Sequence, residues 1–132
     1  MTLRHLLCLL IFSFSSLLLS SQSFSFKTTY RMQRVADSLS GKWKNSSAPE
    51  PFVSEISVDS NTKEISITSK NNIEKYTILS YLGEIEDEKG ISRKFKCQKE
   101  NENGVFSIQK NINGQTYCIM EFPRLFQLYF LE

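Results

Sequence analysis

The chain has 132 residues, with 16 Lys and Arg against 14 Asp and Glu and a single histidine, His5. That near balance excludes the basic excess a nucleic-acid interface normally carries. Beyond position 5 there is no imidazole for a serine or cysteine catalytic pair or for a zinc site; catalysis by carboxylates or lysine stays formally open but has no positive support, so the reading is a non-enzyme with no catalytic residue, metal or cofactor.

Residues 1–5 form a short basic start with Arg4, followed by the almost unbroken apolar stretch LLCLLIFSFSSLLL at 6–19. Its 14 residues fall short of the roughly 20 that cross a bilayer as a helix, and small residues follow at 20–25. This is the order of a secretory signal peptide, with cleavage expected after Ser23. Residues 1–23 are therefore assigned to the signal, and the product is expected to be secreted, with no stable membrane anchor. It keeps 109 residues and, with Arg4 removed, 15 Lys and Arg against 14 Asp and Glu. That length suits one domain with one core.

Residues 24–40 are polar and basic, with Tyr30, Met32 and Val35 at loosely helical spacing. They read as an N-terminal extension or one helical turn leading into a domain at 41–132. From Gly41 the pattern changes to short runs rich in Ile, Val, Thr, Tyr and Phe, separated by turn residues at the spacing of all-β folds. Strands are predicted at 54–58, 64–68, 75–82, 91–98, 105–110, 115–122 and 125–131. Turns are placed at 59–61, Leu82-Gly83, Lys89-Gly90, Asn103-Gly104 and Asn113-Gly114, the Asn-Gly pairs being suited to tight hairpins. Short links join neighbours antiparallel, so the expected fold is an all-β, up-and-down antiparallel meander closed into a small β-barrel, closure being the natural way to remove sheet edges. Candidate inward positions mix Ile65, Ile67, Phe95, Cys97 and Ile119 with adjacent Ser66, Ser80, Ser107 and Gln109. A barrel wide enough to hold a ligand would show such a mixture; so would polar residues that simply face solvent.

Several segments resemble the fatty-acid-binding protein family of the calycin superfamily. Gly41-Lys42-Trp43-Lys44 looks like the Gly-x-Trp opening shared with lipocalins, and SEISVDSNTKEISITSK is similar to the family's second and third strands. Tyr81-Leu82-Gly83-Glu84 matches its Leu-Gly-Glu turn. Arg93-Lys94-Phe95-Lys96 falls where its sixth strand begins, and Val105-Phe106-Ser107-Ile108-Gln109-Lys110 looks like its seventh strand. The likeness runs from about Gly41 to Phe122 and implies a ten-stranded barrel that binds a fatty acid, a retinoid or another small apolar molecule. Three features depart from that pattern. Residues 44–51 are too few, and too rich in proline, for the family's helical lid. The terminal Arg-x-Tyr carboxylate clamp has no counterpart, and Glu121 or Met120 stands where a second arginine would be. Arg93 and Arg124 are the available substitutes. Without a tenth strand, unpaired edges would invite a dimer.

The residues expected to line the interior are Ile65, Ile67, Ile78, Phe95, Val105, Tyr117 and Ile119. Cys97 and Cys118 fall on predicted strands two apart, about 9–10 Å at sheet spacing, beyond the roughly 7 Å reach of a disulfide, so both thiols are expected to be free. Asn45-Ser46-Ser47 is a glycosylation sequon. The acidic run at 84–88 reads as a solvated hairpin, Trp43 as a core plug and the aromatic segment 125–131 as a buried last strand. Two functions follow from these expectations: a secreted carrier of a small apolar ligand, such as a fatty acid or other lipid, and a lipocalin-like interaction module whose filled barrel acts through protein contacts.

Overall fold

The computed structural model describes residues 23–132 apart from Ser38 and Ser46; the signal peptide assignment lies almost wholly outside them. The described chain is all-β: β1 (Ser23–Val35), β2 (Glu50–Asp59), β3 (Glu64–Ser69), β4 (Asn72–Asp87), β5 (Gly90–Lys99), β6 (Glu102–Asn111), β7 (Thr116–Phe122) and β8 (Leu125–Leu131). Each strand pairs antiparallel with the next, and β1 pairs with β8, so the meander closes into an eight-stranded barrel.

The seven predicted strands are all present, and two expectations around them are corrected. Residues 24–40 are not an extension outside the barrel. Ser23–Val35 is a strand paired on both sides, with Phe24 opposite Val58 and Arg31 opposite Tyr129. Its apolar residues are spaced irregularly because the pairing shifts between Thr28 and Tyr30; a bulge there reverses which parity faces inward. The barrel also has eight strands, not ten, and β1 supplies the closing partner. No sheet edge remains open among them, which removes the physical basis for a dimer through edge strands.

Turn chemistry explains three of the connections, β2–β3, β4–β5 and β6–β7. Asp59 Oδ1 accepts from the amides of Asn61 (2.9 Å) and Thr62 (3.3 Å), and Asp87 Oδ1 accepts from Lys89 (2.8 Å) and Gly90 (3.2 Å). Asn113 Oδ1 accepts from the Gln115 amide at 3.0 Å. These are Asp and Asn side chains closing turns on their own backbone.

Two predicted turns are overturned. Leu82-Gly83 lies inside the long β4, where Gly83, at φ +105°, takes up a register shift between Tyr81 and Gly83. The Leu-Gly-Glu likeness therefore marks a bulge. Asn103-Gly104 is also within a strand, and the turn falls at Glu100-Asn101, both at positive φ (49° and 69°). Gly104 is needed for another reason: a Cβ there would lie 2.6 Å from the Glu121 carbonyl oxygen and 2.8 Å from the Phe122 ring.

One apolar cluster fills the barrel: Ile56, Val58, Ile65, Ile67, Tyr76, Ile78, Phe95, Cys97, Phe106, Cys118, Met120, Phe122 and Tyr129. Contacts cross the lumen. Tyr76 on β4 meets Phe122 on β7 with ring centroids 5.7 Å apart, and Phe52 on β2 meets Tyr129 on β8 at 6.0 Å. Cys97 and Cys118, the two cysteines among the described residues, are free and buried. Cys97 lies opposite Gly104 and Cys118 opposite Ile108, so four residues of β6 separate them along the strand direction as well as two strand steps across it.

Candidate functional site

Two ends of the barrel differ in chemistry, and β8 sets the difference. Its inward parity is Leu125, Gln127, Tyr129 and Leu131, with Gln127 and Tyr129 buried. Across the closing seam Gln33 lies opposite Gln127, and Arg31 opposite Tyr129. The Arg31 side chain is only 18 % exposed and lies 3.8 Å above the Phe52 ring, with Nη2 3.4 Å from Glu50 Oε1. With its amide oxygen turned toward Arg31, Gln33 accepts from Nη2 at 2.7 Å and from Nε at 3.2 Å. The amides of Gln33 and Gln127 approach to 3.4 Å. Nearby, Thr28 and Ser54 share a buried hydroxyl–hydroxyl bond of 2.5 Å, and Tyr76 OH donates to Glu74 Oε2 at 3.0 Å.

Within this cluster Gln127 Oε1 and Tyr129 OH are buried without a hydrogen-bond partner. Burial pushes the Tyr129 phenol up to about 12, with the nearby Arg31 partly opposing it. A buried polar atom left unpaired costs about 1–3 kcal/mol. Tyr129→Phe is therefore expected to leave stability unchanged or to raise it by up to about 1 kcal/mol. Thr28→Val, which orphans Ser54, is expected to lower it by about as much. Urea midpoints of the two variants measure this directly.

The opposite end, where β1 begins and β8 finishes, is apolar. Phe24, Phe26, Ile108 and Leu131 are partly exposed and pack against the core. Phe24 and Phe26 meet edge to face at 5.5 Å, and Tyr81, 53 % exposed, lies 5.0 Å from the core ring of Phe95. The β4–β5 hairpin continues past this end and carries exposed Leu82, Ile85 and Ile91.

The structure divides the residues expected to line the interior. Ile65, Ile67, Ile78 and Phe95 face inward and belong to the core. Val105, Tyr117 and Ile119 have the wrong parity. They alternate with buried Phe106, Cys118 and Met120 and so face outward. Strand alternation was legible in these segments, but both parities carry apolar residues, and only the pairing of β6 and β7 chooses between them.

The two proposed substitutes for an anion clamp divide. Arg93 has the inward parity of Phe95 and Cys97 and lies opposite Ile108 at the apolar end, where its Nε donates to Glu84 Oε1 at 3.0 Å, whereas Arg124 stands exposed in the β7–β8 turn. At the polar end the inward cation is Arg31, opposite Tyr129, on a strand that the residue pattern alone places outside the barrel. Glu121 is exposed, and Met120 occupies the interior. Trp43 is not a core plug: it is 40 % exposed in the β1–β2 connection, where its backbone bridges Ala36. Asn45 is exposed in the same connection.

The described residues contain no group of three or more His, Cys, Asp or Glu placed to hold a metal. Burial pushes the thiols of Cys97 and Cys118 up to about 11 and about 12, which leaves them protonated and unreactive at neutral pH. A groove of about 490 Å³ outside β4 and β5, lined by residues such as Lys75, Gln98 and Lys99, is open and polar. No known family's sequence profile, no curated protein and no solved structure matches the chain.

Proposed function

We propose that this is an exported, non-enzymatic binding protein that takes a small apolar ligand, a fatty acid or other lipid, at the apolar end of its barrel. One observation carries the reading: Phe24, Phe26, Tyr81, Ile108 and Leu131 touch the core on one side and solvent on the other. They sit on four different strands around one end of the barrel. Contacts across the lumen close the middle, so a ligand enters this end and does not thread the full length. Each methylene buried there contributes about 0.8 kcal/mol, so a short run of acyl chain suffices for binding, with the polar head left in solvent.

Native mass spectrometry of the protein purified from a secreting host is expected to show a co-purified lipid, and a fluorescent fatty acid is expected to bind and be displaced. Tyr81→Ala, at a half-exposed position, is expected to weaken that binding about tenfold while leaving the fold intact. Binding unaffected by this change would move the ligand elsewhere, and no binding at all would end the carrier reading.

A second reading has its own observation. The closed middle of the barrel and the exposed Leu82, Ile85 and Ile91 of the projecting hairpin, with Ile112 in the neighbouring turn, suit an interaction module. Ile85, opposite Ser92, and Ile91, opposite Glu86, present apolar side chains on the two faces of this hairpin, where another protein could grip it.

A further inference from the structure

The outer face of the closing seam is built inside out. On β8 the outward residues are Phe126, Leu128 and Phe130, whereas the inward positions between them are Gln127 and Tyr129. The pairing sets them in three rows across β1, β8 and β7. Tyr30, Phe130 and Tyr117 form the first, Met32, Leu128 and Ile119 the second, and Arg34, Phe126 and Glu121 the third. Tyr30 is 48 % exposed, Arg34 and Glu121 are exposed, and the other six are partly so. Phe130 and Tyr117 meet edge to face at 5.5 Å.

The rows match across β8. To one side lie Tyr30, Met32 and Arg34; to the other, Tyr117, Ile119 and Glu121. Each row therefore pairs an aromatic with an aromatic, an aliphatic with an aliphatic, and a cation with an anion. A two-fold axis running along β8 in the plane of an interface would exchange the two sides. It would set Tyr30 against the second copy's Tyr117 and Met32 against its Ile119, with Arg34 facing its Glu121 twice over. An isologous contact requires self-complementarity of this kind, and face-to-face sheets pack about 10 Å apart with strands nearly aligned.

We propose that this face is where a second copy of the chain docks, sheet on sheet, about an axis parallel to β8. Arg34 remains available for the contact: its Nε donates to the Lys44 carbonyl at 2.9 Å, and the guanidinium carbon lies 5.8 Å from the Trp43 ring centroid. Nine side chains are fewer than the roughly 20–30 per side of a standard interface, so the dimer is weak and forms with rising concentration.

Sedimentation velocity on the protein purified from a secreting host, from low micromolar to near-millimolar concentration, is expected to show a monomer–dimer equilibrium. Arg34→Glu and Glu121→Arg each place like charges opposite one another twice, and each is expected to weaken self-association at least tenfold. Mixed one to one, the two variants restore opposite charges and are expected to form a heterodimer at least as tight as the wild-type dimer. Circular dichroism of each variant confirms that the barrel is intact. A monomer at every concentration overturns the proposal, whether the face is bare or is covered by another segment of the chain or by lipid. A dimer indifferent to the reversals, or a mixture that does not associate, overturns it equally.

Discussion

Phe106→Ala is expected to destabilise the protein by about 3–5 kcal/mol, the range for removing a fully buried phenylalanine ring. Phe106 has zero exposure and lies between Phe95 on β5 and Met120 on β7, its direct neighbours across the sheet. Its ring centroid is 6.2 Å from that of Phe95. The loss combines the transfer free energy of the ring with a cavity that the surrounding wall cannot close. Each strand of a closed sheet is hydrogen-bonded to a neighbour on both sides, so the strands resist shifting inward to refill the space. Total stabilities of small domains are about 5–15 kcal/mol, so this one change removes a large part. Its neighbour Val105, outward-facing, is expected to tolerate Val105→Ala with a loss below about 1 kcal/mol. Urea denaturation of both variants checks the contrast, and equal losses at the two positions would contradict the assigned parity.

Alkaline unfolding is the second large effect. Burial raises Cys97 to about 11 and Cys118 to about 12, each from 9.0, and Tyr129 to about 12 from 10.0. Tyr76 is raised as well, by burial first and then by the Glu74 carboxylate. For each group the folded state holds its proton after the unfolded chain has released it. Stability from this source is whole below about pH 9. It declines as pH rises, first as the unfolded thiols ionise and then the unfolded phenols, until the folded values are reached. Each proton held only by the folded state lowers stability by about 1.4 kcal/mol per pH unit, and four groups act together. Cooperative unfolding is therefore expected between about pH 10 and pH 12, accompanied by a sharp rise in tyrosinate absorbance. Cys118→Ala removes one titrating group and is expected to move the midpoint upward on the pH scale. A native far-ultraviolet spectrum held at pH 12 would show that these groups are not sealed as the packing implies.

Much of the wall was legible because strands leave a strong local trace. Ser-Glu-Ile-Ser-Val and Lys-Glu-Ile-Ser-Ile-Thr alternate cleanly, and an aspartate closes the turn between them. β1 does not read as a strand, for a physical reason. Its bulge at Thr28–Tyr30 breaks the two-residue period, so Phe24 and Phe26 face inward on one side of it while Arg31 does so on the other. The bulge at Gly83 likewise imitates a turn, because a glycine at positive φ serves either purpose. The Asn103-Gly104 pair looks like a hairpin signal, yet that glycine serves to admit the Phe122 ring.

The candidate site was less legible than the wall. Segments 105–110, 115–122 and 125–131 carry large apolar residues on both parities, and a strand with two apolar faces does not announce which one is inside. Hence the residue pattern favours Val105, Tyr117 and Ile119 as inward and gives no sign of Gln127 and Tyr129. The Arg31–Tyr129 pair joins positions nearly a hundred residues apart and exists only because β1 closes against β8.

From the sequence alone came the all-β class, the antiparallel order of neighbours, the closed form and the two free thiols, since each follows from local period, short links and strand spacing. The closing partner, the inward parity of the last three strands, the polar and apolar ends and the inside-out seam were decided by tertiary structure. They depend on registers between strands, and a shift of one residue there exchanges every inward side chain for an outward one.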